Sequence, residues 1–238
     1  RCRQYALWSG AARAALALGD LELSRPDQEK AEGFYRLALR HTYEGRDPET
    51  RVPVRIALGD LAMARKQFEL ARDHYEKALR DAGADLPPRL GGELSHRIAR
   101  ALYAASDSRS AADYWQKALI WYREAGDGEA VITTIIDLAG ALHDAARITE
   151  ARSTYLYGLQ ATDGAAPDTL AALNYAYARF CFRTGEYALA ERHFRTARDL
   201  YTRTGKQVDT ARLDLELAAL SVVLGQTGRQ ETLLRRAL

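Results

Sequence analysis

Apolar and polar positions along this chain follow a helical spacing that restarts about every forty residues. In the nonapeptide ARDHYEKAL, Ala71–Leu79, the positions Ala71, Tyr75 and Ala78 stand at i, i+4 and i+7 with mostly polar residues between them. That spacing marks one buried face of an α-helix. Variants of the phrase begin at Ala31, Ala111, Ala151, Ala190 and Gln230, so the interval is 40, 40, 40, 39 and 40 residues. The central large residues are Tyr35, Tyr75, Trp115, Tyr155 and Phe194, with Leu234 in the last copy. Small residues on either side let two helix axes approach to about 8–10 Å, and the ring fills the remaining space.

A second element precedes each phrase. Twelve residues upstream stand Gly19, Gly59, Ala99, Ala139, Ala178 and Ala218, each following a large residue: Leu18, Leu58, Ile98, Leu138, Tyr177 and Leu217. These large–small pairs predict a partner helix, and hence a hairpin, in every period. Breakers separate the hairpins at GRDPET (Gly45–Thr50), DAGADLPPRLGG (Asp81–Gly92), GDG (Gly126–Gly128), DGAAPD (Asp163–Asp168) and TRTGK (Thr202–Lys206). In the first and fourth, Asp and Pro stand where an N-cap and a first-turn proline would start a helix. A fixed period of this length fits stacked units that bury their apolar faces only against neighbours.

The large–small pair, the small residue twelve positions on, the aromatic four later and the small residue three later together resemble the tetratricopeptide repeat (TPR). The resemblance implies an all-α, right-handed superhelical solenoid of about six hairpins, with repeats near 12–51, 52–91, 92–131, 132–170, 171–210 and 211–238 in one domain. Two features depart from the family. Its tryptophan, three residues before the large position, is replaced by Ala15, Arg55, Ser95, Ile135, Asn174 and Asp214, and its closing proline by a longer connection. Units of about 40 residues are similar to those of kinesin light chains, LGN-type adaptors and the sensor regions of bacterial STAND-class regulators. The last phrase ends flush with the chain, leaving Leu233, Leu234 and Leu238 to meet a partner or further chain. The sequence is therefore expected to be part of a larger protein.

Composition narrows the function classes. With 34 basic and 32 acidic residues, the net charge of +2 supplies no general field toward nucleic acid or an anionic membrane. The two cysteines, Cys2 and Cys181, match no zinc or redox motif and point to a reducing cytoplasm. No apolar run reaches membrane-spanning length, and no phosphate loop, nucleophile elbow, HExxH or CxxC motif occurs. A non-enzymatic chain without cofactor or metal is expected. Among the histidines, His74 and His193 share one repeat position, immediately before the aromatic, and read as architecture. His41 lies beside a breaker and is expected to be solvated. His96 and His143 fall seven positions apart in repeat register, an axial rise of about 10.5 Å, too far to share a metal. Cys181 reads as a small core residue.

In the family, positions two, five, six, nine, twelve and thirteen of each first helix line the concave groove. Carried over here, the first two repeats offer Arg13, Leu16, Asp20, Ile56, Asp60 and Met63, a bland surface. The middle repeats offer the candidate ligand-binding set His96, Arg97, Arg100, Tyr103, Asp137, His143, Tyr175, Arg179, Phe182 and Arg183. Arginine forks take carboxylates bidentately and stack on rings, which suits an acidic or mixed peptide. The competing reading is a solvated face whose arginines pair with Asp137, Asp144 and Glu216. The clamp that holds chaperone C-termini does not carry over, since His96, Arg100, Asp137, Ala172 and Ala176 occupy its places. Two functions follow. One is a non-catalytic scaffold binding a protein or peptide segment, within a bacterial signalling or transcription-regulatory protein. The alternative is a small-molecule effector sensor of a STAND-type regulator.

Overall fold

The computed structural model describes residues 2–25, 27–161 and 163–225. Among these residues it contains eleven helices and no strand: α1 (Cys2–Ser24), α2 (Gln28–Glu44), α3 (Pro48–Ala64), α4 (Phe68–Ala82), α5 (Pro88–Ala104), α6 (Ser108–Glu124), α7 (Gly128–Asp144), α8 (Ile148–Gln160), α9 (Pro167–Arg183), α10 (Tyr187–Arg203) and α11 (Gln207–Val223). Odd-numbered helices carry the large–small pairs and even-numbered helices the aromatic phrases, as the spacing predicts. The sixth phrase, with Leu233, Leu234 and Leu238, lies outside the described residues.

Two compact units contain these helices, Arg1–Glu124 and Ala125–Leu238. In the first, α1 pairs with α2, α3 with α4 and α5 with α6, and successive hairpins meet through α2 on α3 and α4 on α5. In the second, α7 pairs with α8 and α9 with α10, α9 also packs on α7 and α8, and α11 packs on α10. The architecture is all-α, a run of consecutive helical hairpins.

The core is the aromatic stripe with its small neighbours. Tyr35, Tyr75, Trp115, Tyr155 and Phe194 are all buried, and so are the alanines that bracket them. Gly19 and Gly59 show why a small residue is needed. A Cβ on Gly59 would lie 2.4 Å from Tyr75 Cε1, and one on Gly19 would lie 2.4 Å from Tyr35 Cε1. Each ring therefore rests directly on the backbone of its partner helix. Its hydroxyl donates to the next residue along, Asp20 or Asp60, at 2.7 Å. Leu18 departs from the expected pattern, being 44% exposed where Leu58, Ile98 and Leu138 are buried.

The tryptophan position of the repeat remains inside although its residues are mostly not aromatic. Ala15, Arg55, Ser95, Ile135, Asn174 and Asp214 are all buried. Arg55, Asn174 and Asp214 find partners from other helices, as buried polar groups must. The Arg55 guanidinium donates to Asp81 and to the Tyr43 hydroxyl. Arg198 Nε donates to Asp214 at 2.5 Å, and His193 Nδ1 meets Asn174 Oδ1 at 2.8 Å. In the second repeat the equivalent of Asn174 is Arg55, which has no acceptor to offer. His74 Nδ1 is accordingly buried with no hydrogen-bond partner. Burial lowers the pKa of both His74 and His193, which disfavours the charged form of each half-buried ring.

Helix ends explain the constancy of the period. Asp47 caps α3, its carboxylate accepting from the Thr50 amide at 2.9 Å, with Pro48 at the first turn. The fourth connection differs from expectation. Pro167 does open α9, but the N-cap is Ala166, which has no capping side chain, and its amide donates instead to Glu129 Oε2 at 2.9 Å. Several helices stop at a residue with positive φ: Arg46, Lys66, Ser106 and Ala146, and glycine at 126, 185, 205 and 225. After Arg46, Lys66, Ser106, Ala146, Gly185 and Gly205 the next residue bonds five positions back, as in Gln67 N–H to Ala62 O at 2.9 Å and Arg147 N–H to Leu142 O at 2.8 Å. These are Schellman closures, which satisfy the last carbonyls and stop the helix sharply. His41 is also not solvated as expected. Its ring stacks on Trp8 at 5.1 Å between centroids, and its side chain is 17% exposed.

Candidate functional site

In the first unit, α5 carries four of the candidate residues. Positions 96, 100 and 103 follow the i, i+4, i+7 row of one helix face, with 97 beside it. His96 and Tyr103 both turn their rings edge-on to Trp115, at 6.0 and 5.6 Å between centroids, so each belongs partly to the core. Arg97 is held by two carboxylates, its Nε 3.3 Å from Asp60 and its Nη1 2.7 Å from Glu93. Burial works against its charge, but the carboxylates, Asp60 foremost, outweigh it and raise its pKa. Arg100 is exposed and has no ion-pair partner among the described residues.

Together Arg97 and Arg100 border a recess of about 250 Å³ completed by Asp60, Met63 and Tyr75. Asp60 accepts from Tyr75 and Arg97 at once, so the recess has a fixed polar floor. Burial and the Asp60 carboxylate push the Tyr75 hydroxyl well above its ordinary pKa, and it remains a donor. Asp60 and Met63 were legible as inner-face positions but looked bland. The Gly59–Asp60 pair followed by Tyr75 is the signal that could have marked them.

In the second unit the candidates divide. Tyr175 and Arg179, one turn apart on α9, form a pair, with the guanidinium carbon 5.8 Å from the ring centroid. The Tyr175 hydroxyl donates to Glu216 of α11 at 3.1 Å. Burial, followed by that carboxylate, raises its pKa. Arg179 is exposed and has no carboxylate partner among the described residues. Arg183 is paired, its Nη2 3.5 Å from Asp144, which also lies 3.3 Å from His143 Nδ1. His143 sets its ring edge-on to Phe180 at 5.6 Å. Asp137 is half-buried on α7. Phe182 sets its ring edge-on to Tyr187, 5.6 Å between centroids. Arg183 thus follows the paired reading through Asp144, Arg97 is paired with Asp60 and Glu93 instead of the expected carboxylates, and Arg100 and Arg179 stay open.

No protein-family model and no curated protein matches the sequence. Solved structures do match. A putative kinesin light chain from Podospora anserina with nearly identical TPR-like repeats superposes with a TM-score of 0.69 at 16% identity, over 82% of this chain and 96% of that one. YrrB, a TPR protein with an unusual peptide-binding site, gives 0.55 at 20% identity, over 78% and 84%. The chain has the TPR fold. The apo form of RapI superposes on this TPR chain with a TM-score of 0.75 at 12% identity, over 95% of this chain and 96% of that one. At these identities the likeness concerns the fold alone. Among the described residues, no helix of this TPR chain is long and apolar enough to cross a membrane.

Proposed function

We propose that this TPR chain is a non-catalytic scaffold whose first-helix faces bind a protein or peptide segment of acidic or mixed character. It would serve as the interaction region of a larger cytoplasmic bacterial signalling or transcription-regulatory protein. The observation that carries this reading is the pair of exposed, uncommitted guanidiniums, Arg100 beside the Asp60–Tyr75 recess and Arg179 beside the Tyr175 ring. Each offers a fork for a carboxylate next to a fixed aromatic group, and a charge-assisted bond of this kind contributes about 1.5–3 kcal/mol. YrrB, with its peptide-binding site, provides a precedent on the same fold. The effector-sensor alternative draws less support. At Arg100 the recess holds about 250 Å³, below the roughly 300–1,000 Å³ that encloses most small ligands; a separate apolar recess lined by Ile56 and Leu90, about 570 Å³, does reach that range.

Selection of random displayed peptides on the whole chain tests the proposal. Arg100→Ala should weaken a peptide bound on the first unit about tenfold, and Arg179→Ala one bound on the second, on the scale of one charged hydrogen bond. Both should flatten the salt dependence and leave the melting temperature near that of the parent. A selected peptide indifferent to both substitutions would defeat the reading. A metabolite that alone stabilises the chain, with no peptide recovered, would favour the sensor.

A further inference from the structure

A second recess in the first unit is lined by neither Arg97 nor Arg100, and its chemistry is the opposite of theirs. It has a volume of about 570 Å³ and opens between the N-terminal halves of α3 and α5 and the end of α4. Its origin is a helix that stops early. α2 and α6 run for 17 residues, but α4 runs for 15 and ends at Ala82. Gly83 follows with φ 77°, and the connection occupies residues 83–87 before Pro88 opens α5. The apolar cluster of Val52, Ala78 and Leu94 is therefore incompletely covered at this point. Ile56 and Leu90 pack against it while remaining partly exposed, and both line the recess. The floor is apolar and belongs to the protein core, which fixes its shape.

The rim contains acceptors. Glu49 and Asp85 line it, are exposed, and have no basic partner within ion-pair distance among the described residues. A third carboxylate, Asp81, is already bound by Arg51 and Arg55. Pro53, within α3 and on the wall, adds a further acceptor. It has no amide hydrogen to return to the Glu49 carbonyl four residues back, so that carbonyl lacks its helical donor. Volume, floor and rim together describe a pocket for an aliphatic group flanked by hydrogen-bond donors with positive charge.

We propose that this cleft is a docking site for a peptide segment in which an aliphatic side chain is flanked by lysine or arginine. The aliphatic group fills the space over Val52, Ile56 and Leu90, and the flanking cations meet Glu49 and Asp85. Backbone or side-chain N–H groups of the peptide supply the donor that Pro53 withholds. The site's lining includes neither Arg97 nor Arg100, although Ile56 stands one turn before Asp60 on α3, and it does not depend on their function. If both are used, the bound partner is basic and apolar where it meets α3 and acidic where it meets Arg100.

The test uses the intact chain and a fluorescein-labelled, N-acetylated, C-amidated hexapeptide with two leucines set between lysines. Its anisotropy should report saturable binding. A benzophenone on the peptide should cross-link within residues 48–56 or 82–90. Glu49→Lys with Asp85→Lys, both at exposed positions, should weaken binding at least tenfold, while a peptide with glutamates replacing the lysines should gain affinity for that variant. Replacing the leucines by serine should abolish binding to the parent. Hexylamine, which offers an alkyl chain and an ammonium without peptide groups, should not compete at tenfold excess. The assignment is overturned if the charge reversal leaves affinity within twofold, if the serine peptide binds equally, if hexylamine competes, or if the cross-links fall elsewhere.

Discussion

Gly59→Ala is a change that in an ordinary exposed helix would stabilise, by about 1 kcal/mol through helix propensity. Here the added methyl would lie 2.4 Å from Cε1, 2.7 Å from Cδ1 and 2.8 Å from Cζ of Tyr75. Ordinary carbon contacts need about 3.5–4.0 Å, so the ring must retreat by about 1 Å. It has little room to do so. Tyr75 is 1% exposed, and its hydroxyl is bonded to Asp60 at 2.7 Å. Overpacking of a tight core costs about 1–3 kcal/mol, and stretching a hydrogen bond to a carboxylate adds about 1 kcal/mol or more. Set against the propensity gain, a net loss of about 2 kcal/mol is expected. The equivalent position in the third repeat already holds alanine, Ala99, so Ala99→Gly should lose about 1 kcal/mol instead. Alanine is therefore harmful at 59 and beneficial at 99. Urea or thermal unfolding followed by circular dichroism measures both. In a Tyr75→Leu background the Gly59→Ala penalty should largely vanish. A Gly59→Ala protein as stable as the parent, or more so, would refute the idea that the ring rests on this backbone.

Trp115→Ala should cost about 3–5 kcal/mol, the range for a buried aromatic truncated to alanine. Trp115→Phe should cost distinctly less, because the indole Nε1 is buried without a partner and its loss breaks no bond. Ala146→Gly should stabilise by about 0.5–1 kcal/mol, since Ala146 sits at φ 61° and relief of that strain exceeds the added entropy of the unfolded chain. Equilibrium melts of these variants check all three. Burial pushes the Cys181 thiol up to about 11, so in a Cys2→Ser background it should ignore a thiol reagent at pH 8–9 until the protein unfolds. Rapid labelling of the native chain would contradict its buried placement.

The hairpin register was legible because close helix approach demands small residues at fixed places and a ring between them, and each period repeats the demand. Less legible were features settled by residues far apart. The Ala166 cap depends on Glu129, thirty-seven residues earlier. Arg55, in the place of a tryptophan, is kept inside by Asp81 and Tyr43. His41 looked like a helix-end residue, and only the course of α1 brings Trp8 onto it. Turns within hairpins were silent for another reason. Lys66, Ser106 and Ala146 adopt positive φ without the glycine that would announce it, because the helices on both sides fix the turn. Of the candidate binding residues, the sequence placed the arginines on first helices but could not tell the paired ones from the open ones. That distinction rests on Asp60, Glu93 and Asp144, whose distances no linear spacing reveals.

The central claim is that ligands meet the first helices rather than the second. Site-specific photo-crosslinking tests it most directly. Benzoylphenylalanine would replace Met63 or Thr133 on first helices and, in parallel, the exposed Ile120 or Arg195 on second helices. A peptide selected on the whole chain should be captured from position 63 or 133, according to the unit that binds it, and not from 120 or 195. Capture only from 120 and 195 would contradict the account.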